Sequence, residues 1–155
     1  MTEYERLEFI LHRKLMLNAH GNSHWRAKMP TIKKLRSMAA EYGHDRQEER
    51  ISNGEQPINF GKFLITVTIK PPTRRKLDPP NYYPTVKPII DGLTDAKWWE
   101  DDNFQHMLEV RFRYGGLAGI KKEDGKNDND TFKVILEIEE LTDYSEYITV
   151  AEVMD

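Results

Sequence analysis

Residues 63–72 read Phe63-Leu64-Ile65-Thr66-Val67-Thr68-Ile69-Lys70-Pro71-Pro72. Phe63, Ile65, Val67 and Ile69 alternate with Leu64, Thr66, Thr68 and Lys70, the period-two pattern of a β-strand. Pro71 and Pro72 offer no ladder donors and end it. Downstream, Ile89, Ile90 and Leu93 recur at helical spacing behind Thr85, read as an N-cap. They predict a helix from Val86 to about Ala96 with Pro88 in its first turn. Met107–Tyr114 and Thr131–Leu141 alternate again, and the Gly115, Gly116, Gly119 and Gly125 stretch between them reads as a long hairpin loop.

Upstream, Leu7, Phe9 and Leu11 alternate with Glu8, Ile10 and His12, predicting a strand that runs to about Met16. Asn18–Met29 reads as a loop. Pro30-Thr31 opens a helix with Ile32, Leu35, Met38 and Ala39 on one face, stopped by Gly43. His44–Gln56 is polar, contains Asn53-Gly54 and reads as a surface loop with little added helix. The tail from Thr142 to Asp155 reads as a further helix. The order strand, helix, strand, helix, strand, strand predicts an α+β fold, a single layer of mixed β-sheet with helices packed on one face. With 155 residues and 38% hydrophobic content, one domain over residues 1–155 is expected.

The chain has no cysteine, which excludes disulfides, thiolate zinc sites and cysteine nucleophiles and leaves carboxylates and histidines as metal ligands. No window approaches the roughly 20 apolar residues of a membrane span, and Met1–Arg6 is too polar for a signal peptide. A soluble, cytoplasmic protein with no membrane partner is the expectation. The net charge of −3 hides strong polarity along the chain. From Phe9 to Ala40 there is no acid, against Arg13, Lys14, Arg26, Lys28, Lys33, Lys34 and Arg36. Lys70, Arg74, Arg75 and Lys76 form a second basic knot, whereas Val134–Asp155 carries acids and no Lys or Arg. Such a division suits a face that attracts phosphates.

Magnesium-dependent phosphodiester hydrolysis needs hard oxygen ligands converging on one or two ions, with a cation to offset phosphate charge. Residues 78–102 supply Asp78 at a strand exit, Asp91 in a helix with Lys87 one turn before it, and the Asp101-Asp102 pair entering the next strand. Adjacent residues entering a strand point to opposite sides, so only one of Asp101 and Asp102 is expected to be a direct ligand. Asp95 reads as solvated near a helix C-terminus. Trp98 and Trp99 read either as cover for the core or as a wedge against unpaired bases. Asp124–Asp130 lacks the order of a calcium loop and reads as a solvated tip. His20 and His24, four apart in a loop, read as surface or DNA-backbone residues rather than metal ligands.

Arg74-Arg75-Lys76-Leu77-Asp78-Pro79-Pro80-Asn81, then Lys87, then Asp91-Gly92-Leu93-Thr94-Asp95-Ala96 and Trp99-Glu100-Asp101-Asp102, resembles the core motif of RusA-type Holliday junction resolvases. Leu17-Asn18 and His24-Trp25 before a basic helix resemble phage and prophage members, so the likeness spans Leu17 to Tyr114. The resemblance implies a homodimeric, Mg2+-dependent endonuclease, Mn2+ substituting, that makes paired cuts in branched double-stranded DNA such as a four-way junction. It implies Asp78 and Asp102 as catalytic metal ligands, Lys87 as the catalytic lysine, and Asp91 and Asp101 as ligating or supporting acids. Arg26, Lys28, Lys33, Lys34, Arg74, Arg75, Lys76 and Asn81 are the expected DNA contacts. In one respect the chain departs from the pattern. Pro80 stands where the best-known form has a second aspartate, and Asn81 to Lys87 is three residues longer. Asn81 or Asp91 is then the substitute ligand. The alternative expectation is a non-catalytic branched-DNA-binding protein on the same scaffold.

Overall fold

Strand β1 spans Tyr4–His12, with its odd-numbered residues buried and its even-numbered ones exposed, in a computed structural model that describes residues 3–21 and 24–147. It stops short of Met16 because the His12 ring accepts the Lys14 N–H at 3.1 Å and caps a 3-10 turn, Arg13–Leu15.

Helix α1 corrects the sequence reading most. It starts at Trp25, within the expected loop, and runs 28 residues to Ser52. The His24 ring caps it, accepting the Arg26 N–H at 3.2 Å, so Pro30 lies inside the helix rather than opening it. Gly43 is no terminator. A Cβ there would lie 2.6 Å from that of Ala96, and the Gly43 carbonyl accepts the Trp98 indole N–H at 3.1 Å. The glycine lets the Trp98 segment approach α1. Beyond it the expected surface loop stays helical because its polar residues have tertiary partners: Gln47 bonds the Ile58 backbone through both amide atoms, and Arg46 pairs with Glu5.

Strand β2 is Phe63–Lys70. A 3-10 turn, Pro79–Tyr82, leads directly into α2, Tyr83–Asp95. Thr85 is therefore not the N-cap; it is fully buried in the helix and exchanges two hydrogen bonds with the Leu17 backbone, at 2.7 and 2.8 Å. Pro88 likewise lies inside α2, past the first turn. Strands β3, Met107–Tyr114, and β4, Thr131–Glu140, complete the fold.

The sheet order is β1-β4-β2-β3. β4 runs antiparallel to both β1 and β2, and β3 parallel to β2. The glycine-rich stretch after β3 is thus a crossover past the end of β2, not a hairpin, anchored by Gly115 N–H to Ile69 and Ala118 N–H to Pro71. Burial explains the order. β2 and β4 are apolar enough to be covered on nearly every residue, whereas Glu109, Arg111 and Arg113 suit β3 to an edge. The fold is α+β, with one four-stranded mixed sheet and two α-helices among the described residues. Leu35 and Ala39 of α1 and Val86, Ile89, Ile90 and Leu93 of α2 share one core with the inward residues of the sheet. The segment 142–147 contains turns, not helix; the rest of the expected tail helix lies outside the described residues. Among the described residues no helix is long and apolar enough to cross a membrane.

Candidate active site

Lys87 and Asp91, one turn apart on α2, project together, and the Lys87 ammonium donates to Asp91 Oδ1 at 2.8 Å. The same ammonium donates to Asp102 Oδ2 at 2.5 Å. Asp102 comes from the connector between α2 and β3, which two tryptophans hold in place. Trp98 and Trp99 are 0% and 1% exposed, so of the two readings for them only core cover fits this fold. Trp99 stacks on Phe63 at 4.5 Å between centroids and donates its indole N–H to Thr94 Oγ1. Asp101 turns away and accepts the Asp102 N–H at 2.7 Å and the Asn103 side-chain amide at 3.3 Å. It orients the Asp102 backbone.

Charge follows the geometry. Burial alone works against the Lys87 charge, yet the hydrogen bonds it donates to Asp102 and Asp91 override that and raise its pKa well above the ordinary lysine value. Burial likewise pushes the Asp102 carboxyl up, but Lys87 outweighs it and holds Asp102 below the usual carboxylate range. Side-chain exposures of 42% for Lys87, 28% for Asp91 and 17% for Asp102 keep the trio reachable from solvent.

Asp95 and Arg36 form a neighbouring pair that sequence reasoning missed. Arg36 of α1 grips both oxygens of Asp95 at 2.7 and 2.8 Å. Its hydrogen bond is the main reason that the Asp95 carboxyl lies low and the guanidinium pKa lies high; Asp91 and Asp102 add to the latter. The pair spans 59 residues of sequence, so no local spacing signals it. Gly92 brings the helices together here, since an added Cβ would strike the Arg36 carbonyl.

Asp78 immediately precedes the Pro79–Tyr82 turn, with no side-chain capping bond. It lines a shallow cleft of about 330 Å³ with Asn18, Lys76, Leu77, Asn81 and Tyr82. Asn81 donates its N–H to the Asp78 carbonyl and accepts the Ala19 N–H. Among the expected DNA contacts, Arg26 lies over the exposed Trp25 ring and Arg75 over Phe132. Lys33 and Lys34 lie on α1, exposed or partly so. Lys28 lies near Gly21, and Arg74 lies with Lys76 on the connector before Asp78. The fold thus joins Lys87, Asp91 and Asp102 directly, attaches Asp101 behind Asp102, and leaves Asp78 in its own cleft. Among the described residues no three His, Cys, Asp or Glu side chains are grouped so as to hold a metal ion. No protein-family model and no curated protein matches the chain.

Proposed function

We propose that this protein is a magnesium-dependent, structure-specific endodeoxyribonuclease of the RusA type. It would act as a homodimer in the cytoplasm to resolve four-way junctions or related branched DNA during recombination and repair. One observation carries the reading: carboxylates from two different elements, Asp91 and Asp102, converge on a single cation, the Lys87 ammonium, beside a helix rich in Lys and Arg. Hard oxygens that already close on a cation suit Mg2+ or Mn2+ by chemistry. The ordered resemblance from Arg74 to Asp102 supports the same assignment.

Asp102 and Asp91 would hold the ion; Asp78, which lines a separate cleft, would serve as a third donor only after moving from its place on the connector into α2. Mg2+, when bound, supplies Lewis-acid polarisation of the phosphate. Lys87 neutralises the charge that develops on the phosphate oxygens, a role its strongly favoured protonation suits. Asp101 fixes the Asp102 backbone. Arg26, Lys28, Lys33 and Lys34 of α1, with Arg74, Arg75, Lys76 and Asn81, track the DNA backbone through salt-sensitive contacts.

A second reading, a branched-DNA-binding protein without catalysis, draws support from Pro80 and from the separation of Asp78 from the Lys87 trio. Nicking of a synthetic four-way junction in Mg2+ or Mn2+ separates the two. Cleavage by wild type that Asp102→Asn abolishes supports the enzyme. Binding with equal inertness of both proteins, in either metal, refutes it.

A further inference from the structure

Strand β1 closes one edge of the sheet, with β4 on one side and no described strand on the other. The Glu140 N–H donates to the Glu3 carbonyl and the Arg13 N–H to the Asp130 carbonyl, so the odd-numbered backbone groups of β1 face β4. Its even-numbered groups, from Tyr4 to His12, point out of the sheet edge. The same residues carry their side chains on the face opposite the helices. There Tyr4 and Ile10 are 50% and 60% exposed, with Arg6 and Glu8 between them. A nine-residue strand with no proline, carrying the exposed Tyr4 and Ile10 side chains, is a template for a further strand.

We infer that β1 pairs antiparallel with β1 of a second copy of this chain, about a two-fold axis at Leu7. Four residues fix both partner and register. A two-fold axis at Leu7 sets each even residue opposite another even residue, as an antiparallel hydrogen-bonded pair requires. Arg6 then faces the partner's Glu8, and Glu8 faces the partner's Arg6. Tyr4 faces the partner's Ile10, and Ile10 the partner's Tyr4. Charges are complementary twice and exposed apolar groups cover each other twice. A shift of the axis to Arg6 or Glu8 sets like charges against each other, which is destabilising. The two four-stranded sheets become one continuous sheet. Tyr42 of α1, edge-on to Phe9 at 5.7 Å and 36% exposed, lies beside the same strand on the helix side. Within its own chain Glu8 also meets Lys133 at 2.9 Å and Arg6 at 3.3 Å, and the Tyr4 hydroxyl donates to Glu137, so the pairs across the axis extend a charge network already present on this face.

The pairing specifies the homodimer of the proposed function, but its argument rests on β1 and not on DNA cleavage, so a protein that dimerises through β1 without nicking DNA would refute the nuclease reading and leave the pairing standing. Sedimentation equilibrium of the full chain tests it. Wild type is expected to be a dimer. Arg6→Glu and Glu8→Arg, each alone, set two like-charge pairs across the axis and should weaken dimerisation at least about tenfold. Mixed in equal amounts they should associate again, because every pair is then complementary. The register is read by cysteine cross-linking, clean in a chain without cysteine: a mixture of Tyr4→Cys and Ile10→Cys should form a disulfide-linked dimer, and neither variant alone should. A monomeric wild type overturns the proposal, whether the edge is bare or covered by the chain's own terminus. So does a dimer indifferent to both charge reversals, or one cross-linked by either cysteine variant alone.

Discussion

Two clusters in this molecule share a plan, one cation held by two carboxylates, and differ in nearly everything else. Arg50 near the end of α1 is 12% exposed and pairs with Glu3 and Glu5 of the β1 region, themselves 25% and 9% exposed. Arg46 adds a second guanidinium to Glu5 at 3.1 Å. Lys87 holds Asp91 and Asp102 at 42% exposure. A guanidinium is planar, always charged and forked, so the Arg50 cluster fixes the far end of a long helix on the edge strand. An ammonium on a flexible stem is a point charge that can leave one partner for another. The first cluster is built to hold and the second to exchange, and the second lies by the basic first half of α1, where Asp91 and Asp102 act on Arg36.

The largest effect should come from breaking the second cluster. Asp102→Asn or Lys87→Met is expected to lower junction nicking at least about 100-fold, the usual scale for a group acting on the reacting phosphate. Thermal stability should fall by no more than about 1 kcal/mol, because the pairs are partly exposed. Nicking rates and melting curves on the same preparations check both halves. The reverse pattern belongs to the first cluster. Arg50→Met takes away the partner of Glu3 and the weaker of the two guanidinium partners of Glu5, which keeps Arg46, and should cost about 2 kcal/mol of stability. Urea titration measures it, with nicking at low temperature unchanged. If Arg50→Met were thermally silent and Asp102→Asn unfolded the chain, the contrast between the clusters would be reversed.

Lys97 follows α2 and lines a cleft with Glu3, Gln47 and Glu140. It is the one described non-glycine residue with positive φ, at 64°. The bonds Lys97 N–H to Thr94 and Trp98 N–H to Leu93 form a Schellman ending, whose left-handed position favours glycine. Lys97→Gly should therefore stabilise the protein by about 1 kcal/mol. A loss of stability in urea titration would mean that the lysine side chain contributes more than its backbone strain costs.

The sequence made β2, β3 and β4 legible because each alternates over at least eight residues, and alternation is a local signal. The helix α1 was misjudged because Pro30 and Gly43 are punctuation only in isolation; the Trp98 segment requires the glycine, and Gln47, Arg46 and Arg50 hold the polar half through partners far away in sequence. The crossover after β3 was equally hidden, since a glycine-rich connector does not state which strand comes to lie between its ends. At the candidate site, Lys87 and Asp91 could be paired from helical spacing alone. That Asp102 reaches the same ammonium depends on two buried tryptophans, and that Asp95 is taken by Arg36 depends on the close helix crossing at Gly92. Neither contact has a local signature.

The smallest expected effect is the response to pH, and it separates the clusters by the chemistry of their cations. Asp102 has a folded pKa below its unfolded value. Its contribution to stability is therefore fully present above about pH 4 and is lost as pH falls through the lowered folded value. Lys87 has a folded pKa above its unfolded value. Its contribution is fully present below about pH 10 and is lost as pH rises through the raised one. The alkaline loss belongs to the ammonium cluster, since a guanidinium does not give up its proton in proteins. Carbon-13 NMR of the Lys87 side chain should show it still protonated at the pH where an ordinary solvent-exposed lysine is half titrated. A midpoint at or below that pH would mean that Asp91 and Asp102 do not hold the ammonium in solution, and the likeness to the Arg50 cluster would end there.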